Sequence, residues 1–400
     1  MGNLIEYINW RGDLSFNKDG FNKLDALAFS QLTLINFSNV IPKGYETITL
    51  EDAFNKYIAM GHKVSDALGL VISNKVHYLL AAMAQAERYK HIELFNYKYV
   101  FKPDVPIQFS AFTAKLGKDT YLISYGGTDD SIAGWLEDLS LMYEETLDGQ
   151  LVAKKYYEKV VSETGGNYYL VGHSKGANLA MYTALACNDL AFSALKKTYN
   201  FDGPGFPMEQ IFKTKNVKDR WRRITEYMPE RGTIGRLFYH AEKYHLVKCD
   251  ADVVYQHDVF NWQIMASDFL YAEKFGDEAI FLDHYFKDIV NNMTMDDRHL
   301  LINSLTKTAS IMKVKTLTEL RKNFSRFVGA LFKLEKEERS IVNRIFLKKF
   351  INNPNISKMM FNVIFRKRTF KLKDSERQNL KIESQIDEDD LLLPDDFTSD

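Results

Sequence analysis

The spacing of apolar positions changes along the chain, and each change predicts a different kind of element. From Leu24 to Phe37, "LDALAFSQLTLINF" is apolar nearly throughout and holds no breaker, which predicts a buried helix. "VSDALGLVISNKVHYLLAAMAQAERYK", from Val64 to Lys90, predicts one or two more. The period then shortens to two. "IQFSAFTAKL" and "TYLISYGGT" alternate, carry β-branched and aromatic residues, and flank "GKD" as a hairpin turn. "QLVAKKYYEKVVSET" predicts a helix, "NYYLVG" a strand and "ANLAMYTALA" another helix. Next come "KKTYNFDGPGF", "RRITEYMPERGTIGRLF" and "YHLVKCDADVVYQHDVFNW", each beginning like a strand and ending in turn chemistry. Strands alternating with helices predict an α/β domain with a mostly parallel sheet, whose active groups gather at the carboxyl ends of its strands.

Beyond about Asp268 the strand pattern fades and the reading is helical as far as "MMFNVIF". We therefore expect an α/β domain over residues 1–268, with a helical N-terminal part to about 105. A basic helical extension or lid over 269–373 and an acidic, disordered tail over 374–400 complete the expected division. Charge supports it: residues 313–373 hold 17 Lys/Arg against 4 Asp/Glu, whereas 374–400 hold 10 acids and 2 bases. The basic stretch suits peripheral contact with an anionic membrane, but it equally suits a solvated face or a dock for the acidic tail.

Composition narrows the class. The 400 residues are 46% hydrophobic and 26% charged with a net charge of -1, a globular balance without the basic excess that nucleic acid selects. Two cysteines, Cys187 and Cys249, make no disulfide framework and suit a reducing compartment. The N-terminus lacks a signal-peptide core, and Glu6 occupies the position where a myristoylation motif needs Ser or Thr. No uncharged apolar run is long enough to span a bilayer. A cytoplasmic location is expected. Cys and His show no metal-ligand spacing, and the chemistry considered next needs no metal or cofactor.

That chemistry centres on Gly172-His173-Ser174-Lys175-Gly176, which fits G-x-S-x-G between a predicted strand and a predicted helix. The pattern arises by chance in about one such chain in ten at ordinary Gly and Ser frequencies, so its context decides. Strand, tight turn and helix is the setting that a nucleophilic Ser requires. Gly172 and Gly176 permit the turn, and the Lys175 N–H lies at a helix N-terminus where a developing oxyanion would be received. The bland alternative is an ordinary strand–helix turn with a solvated Ser.

A nucleophilic Ser needs a base, an orienting acid and a second oxyanion donor. His257, in "VVYQHDVFNWQI", stands past a strand-like run and before a predicted helix, with His245 and His240 as alternatives. For the acid, Asp202 in "YNFDGPGF" competes with Glu230 in "YMPERG"; Asp258 is adjacent to His257 and is expected to face elsewhere. "ISYGGTDDSIAGWLEDL" supplies the donor: Gly126 and Gly127 allow close approach, and Thr128 offers an N–H and a hydroxyl.

"SYGGTDDSIAGWLEDL" followed by "YLVGHSKGANLAMYTA" resembles the class 3 lipase arrangement. "DALAFSQLTLINF", "GHSKGANLA", "FDGPGF" and "YQHDVFNW", in this order, more closely resemble the Mbeg1-like family of α/β-hydrolase-fold proteins. The resemblance covers roughly Met1 to Asp268. It implies an α/β-hydrolase fold but carries no substrate with it; the lipase-like order of the motifs suggests a lipase- or esterase-type activity on a small-molecule or lipid acyl ester. Ser174 matches the nucleophile, Thr128 the oxyanion residue and His257 the base. Lys175 stands where class 3 lipases usually have Leu, and Ala177 replaces a common Gly. The usual Asp after the penultimate strand is absent, with Glu230 offered instead. Asp202 resembles the placement one strand earlier that pancreatic-type lipases use. A hydrolase fold kept only for binding, without catalysis, is the alternative function.

Overall fold

The computed structural model describes residues 2–345 apart from positions 71, 103–106, 208–213, 215, 241–242 and 253–254. The expected acidic tail over 374–400, and the basic stretch from 346 onward, lie outside the described residues.

The period-two stretches become a sheet whose eight strands lie side by side in chain order. They are β1 (Ile48–Thr49), β2 (Glu93–Lys102), β3 (Ile107–Gly117), β4 (Thr120–Tyr125), β5 (Asn167–His173), β6 (Leu195–Phe201), β7 (Ile224–Pro229) and β8 (Tyr244–Val247). β1 to β4 pair antiparallel, and β4 to β8 pair parallel. Helices cover both faces, as a parallel sheet requires. One face buries Phe112, Ala114, Leu122 and Val171 against α1 (Leu4–Arg11), α2 (Lys23–Leu32), α3 (Leu50–Ala59) and α4 (Lys75–Gln85). The other buries Phe109, Ala111, Ile123 and Leu170 against two helices that follow α5 (Ile132–Ser140), namely α6 (Asp148–Thr164) and α7 (Lys175–Ala186). Successive side chains of β3 thus enter opposite cores, which is why "IQFSAFTA" is apolar or small on both phases. The chain has the α/β-hydrolase fold, with a helical N-terminal segment and a helical C-terminal extension.

Two details of the N-terminal part differ from the sequence reading. Residues 93–102 form the ten-residue strand β2 inside a segment expected to be helical. Among the described residues of Val64–Lys90, only Lys75–Gln85 forms an α-helix. Gly69 adopts φ +138, closed to L side chains, and Leu70 donates its N–H to Asp130 Oδ1 at 2.9 Å, so the backbone there is committed to a loop. The helix layer is tied by a buried ion pair that local patterning does not reveal. Arg88 Nη2 and Nε reach Asp25 at 2.6 and 2.8 Å, and Arg88 also donates to the carbonyls of Leu14, Asp19 and Gly20. All the hydrogen-bonding capacity of that guanidinium is used, the condition for tolerating a buried charge.

The C-terminal helices, Asp277–Asn291, Met295–Met312, Leu317–Lys322, Phe324–Leu331 and Lys336–Val342, enclose a small apolar cluster of their own around Ile289, Leu301, Leu331 and Val342. They grip the sheet domain at several points, among them Arg298 Nη1, which donates to Met142 O at 2.7 Å. Ser131 and Thr316 form a β-bridge, with Ile132 N–H donating to Lys315 O and Leu317 N–H to Asp130 O, both at 2.9 Å. Arg236 Nη2 donates to Asp283 Oδ2 at 2.8 Å. Among the described residues, no helix is long and apolar enough to cross a membrane.

Candidate active site

The parallel register brings the ends of β5 and β6 level: His173 pairs with Phe201, so the next residue of each strand leaves the sheet beside the other. Those residues are Ser174 and Asp202. Ser174 N–H donates to Phe201 O at 3.0 Å, and Asp202 N–H to Tyr227 O at 2.8 Å. Both have positive φ, 57° and 49°. For a non-glycine residue that conformation costs about 1–2 kcal/mol, and it persists where the surrounding structure fixes it. The glycines of the elbow supply that fixation. A Cβ on Gly172 would stand 2.0 Å from the carbonyl carbon of Gly176, and one on Gly176 would stand 2.2 Å from Tyr125 O. Strand and helix therefore approach as only residues without a Cβ permit. Ser174 is left at the apex, directly before α7, with the Lys175 N–H among the helix's first amides, which have no intrahelical acceptor.

Asp202 is fully buried, and both of its oxygens are engaged. Oδ1 accepts the Gly235 N–H at 2.9 Å, and Oδ2 lies 2.6 Å from His257 Nδ1. The ring nitrogen that faces the carboxylate is Nδ1, which leaves Nε2 free to exchange a proton. The His257 side chain keeps 31% of its surface exposed. His257 also lies over the elbow: its carbonyl accepts from His173 Nε2 at 2.9 Å, and the two rings are 4.5 Å apart. Among the described residues no hydrogen bond joins Ser174 Oγ to His257. In unliganded sites such contacts are commonly long and tighten around the substrate.

The other candidates have different surroundings. Glu230 contributes backbone bonds, to Val247 O and from Gly276 N–H, and does not reach His257. Asp258 accepts the N–H of Phe260 and caps the short 3-10 turn Val259–Asn261, which stands where a helix was expected after His257. His245 stacks on Tyr227. His240 has a carboxylate of its own, with Nδ1 2.6 Å from Glu226 Oε2, but its Nε2 faces Leu237 O at 3.1 Å. Neither of its nitrogens is left for substrate.

The Gly126-Gly127-Thr128 loop runs beside the elbow, close enough that a Cβ on Gly127 would meet His173 O at 3.0 Å and Ser174 Cβ at 3.7 Å. The Thr128 hydroxyl donates to Asp138 Oδ2 at 2.5 Å instead of pointing a free proton at the elbow. An ionised carboxylate only accepts, so the Thr128 N–H is the donor left on that side. The Lys175 side chain turns away from Ser174. Its ammonium donates to Gln108 O, Gln108 Oε1 and Glu137 Oε2 at 2.8, 2.6 and 2.9 Å, so all three protons are used and it does not serve as a base for Ser174. Nothing in the local sequence marks Asp138, Glu137 or Gly235 for these roles; Glu137 and Asp138 simply close "GWLED".

The family model for Mbeg1-like proteins matches residues 83–307, more than half of the chain, and spans the elbow, both site loops and His257. The chain belongs to the Mbeg1-like family. Among solved structures it is similar to lipase II from Rhizopus niveus, at 15% identity and a TM-score of 0.30 over 44% of this chain and 74% of that one. It is also similar to the Rhizomucor miehei lipase–propeptide complex, at 15% identity and a TM-score of 0.34 over 65% of this chain and 78% of that one. At this level the likeness to lipases adds nothing to what the strand order and the elbow establish. No curated protein matches the sequence.

In this Mbeg1-like chain one further carboxylate beside the elbow, that of the half-buried Asp138, is held in a costly environment. Its Oδ1 is buried and has no hydrogen-bond partner among the described residues. Burial pushes its pKa up to about 6, against the opposing pull of the Lys175 ammonium and the Thr128 hydrogen bond. The consequence for stability has a definite sign. Below pH about 4 the folded and unfolded chains both hold this proton. Between that pH and 6 the unfolded chain releases it first, so stability falls as pH rises, and above 6 the full cost of the buried charge is present. Asp138→Asn keeps the shape and the contact with Thr128. It is expected to stabilise the protein by about 1–3 kcal/mol at pH 7.5 and to make no difference at pH 4. Urea unfolding of both proteins at the two pH values measures this directly.

Proposed function

We propose that this chain is a serine hydrolase of the lipase/esterase type that cleaves acyl esters. Ser174 Oγ attacks the ester carbonyl carbon and passes its proton to His257 Nε2. The charge that develops on the carbonyl oxygen is received by the N–H groups of Lys175 and Thr128, and Asp202 steadies the imidazolium. The alcohol then leaves with the proton from His257, and an acyl group remains on Ser174. Water, deprotonated by His257, attacks the acyl carbon; the bond to Ser174 Oγ breaks, His257 returns the proton to Oγ, and the acid is released. No step calls for a metal or cofactor.

The observation that carries this reading is the 2.6 Å contact between His257 Nδ1 and a fully buried Asp202, set beside a positive-φ Ser174 at the apex of a Gly-bounded elbow. A structural loop has no need of a buried carboxylate aimed at a half-exposed imidazole, and a strained backbone at the same place is characteristic of functional sites. Binding without catalysis is the competing reading, favoured by the missing hydrogen bond between Ser174 and His257.

A chain-length series of p-nitrophenyl esters, from acetate to laurate, separates the two. Saturable hydrolysis of at least part of the series, abolished by His257→Ala, supports the proposal, and the preferred length reports the acyl site. Turnover that never exceeds buffer for any ester, with mild detergent present as well as absent, sinks it in favour of binding.

A further inference from the structure

His257 comes from a stretch with little regular structure, so what fixes its position relative to Ser174 is a separate question from what orients its ring. Asp202 orients the ring. The main chain around His257 is held partly from its own side, by Gln256: its Nε2 donates to Ala251 O, its Oε1 accepts the Arg231 N–H, and its carbonyl accepts from Trp262 Nε1. None of these bonds refers to the elbow. One does: His173 Nε2, on the residue immediately before Ser174, lies 2.9 Å from His257 O. His173 is buried at the last position of β5, and its ring lies against the His257 ring, with centroids 4.5 Å apart and planes inclined by 32°.

We infer that His173 is a positioning residue: its Nε2–H ties the main chain of His257 to the strand that carries Ser174 and so sets the distance between nucleophile and base. This rests on the proposed hydrolase reading. The chemistry is specific. A carbonyl acceptor requires an N–H, so the His173 ring carries its proton on Nε2. Burial first, and the facing His257 second, hold the His173 ring neutral, well below the ordinary imidazole range. A neutral ring donates that bond without placing a positive charge against His257 when His257 takes the proton of Ser174. An aromatic side chain at 173 would reproduce the packing but not the tether; an amide would reproduce the tether but not the ring contact.

Those two substitutions form the test, read on the full chain with p-nitrophenyl butyrate and a fluorophosphonate probe. His173→Phe keeps the ring and removes the donor. It is expected to lower kcat and the rate of phosphonylation together by about 10- to 100-fold, with KM within about twofold of wild type, because a misplacement near 1 Å costs that much at a reacting centre. His173→Gln returns an N–H within reach and should recover most of the rate. Amide exchange over residues 255–262 should quicken in the Phe variant and return towards wild type in the Gln variant. This readout does not depend on turnover. A Phe variant that melts like wild type yet matches it in kcat and in exchange overturns the inference while leaving the hydrolase reading intact. Wild type that neither turns over nor reacts with the probe overturns the hydrolase reading and this inference with it, whereas exchange still tells whether the tether exists.

Discussion

Asp202→Asn is expected to lower kcat by about 10⁴-fold while leaving KM and folding nearly unchanged. The reason lies in how the carboxylate is held. The Gly235 N–H donates to Oδ1 at 2.9 Å, so an amide placed there turns its oxygen toward Gly235 and its NH₂ toward His257. Nδ1 of His257 would then have to accept, and the ring's single proton would sit on Nε2. A nitrogen that already carries a proton cannot take one from Ser174. The substitution thus leaves every atom in place and installs the wrong tautomer. Glu230→Gln is the control: with its side chain away from His257, it should change kcat by less than about twofold. Steady-state kinetics on one ester checks both variants, and a large loss in Glu230→Gln would transfer the orienting role to that residue.

Ser174→Ala is the second large effect. Members of a nucleophile–base–acid unit act together, so its removal is expected to cost about 10⁶-fold in kcat and to leave only the residual acceleration that binding and oxyanion donors provide. Ser174→Gly adds a stability consequence. At φ 57° the serine carries the strain of a left-handed backbone, which glycine adopts freely. The glycine variant should be as inactive as the alanine variant and more stable than it by about 1 kcal/mol, which paired thermal melts resolve. Equal melting temperatures would mean that the elbow is relaxed and its geometry owes nothing to strain.

The parallel half of the sheet was legible because its strands are β-branched or aromatic and are separated by Gly-rich turns. The β3–β4 hairpin was legible for the same reason, with a short turn at Lys118-Asp119. β2 was not. Its register with β3 shifts between Phe95 and Lys98, where Asn96 takes φ 54, so "ELFNYKYVFK" loses its alternation midway and no single period fits it. The loop before α4 hid behind apolar composition, and only Gly69 marked it. In the site, the motif singled out Ser174 from local context. The choice between Asp202 and Glu230 could not be made locally, because the partner lies 55 residues away and both acids follow strands. It turns on which strand end lies level with β5 and on an N–H from Gly235, which no pattern around either acid contains. Asp138, Glu137 and the tether from His173 depend in the same way on contacts across the sheet's carboxyl edge.

The central claim is that Ser174 is an activated nucleophile, and reaction with a fluorophosphonate followed by intact mass and peptide mapping tests it most directly. The account predicts one adduct per chain, on Ser174, absent from Ser174→Ala and formed at least about 10³-fold more slowly in His257→Ala. Folded wild type that stays unmodified, with and without mild detergent, or that carries its adduct on another residue, would contradict it.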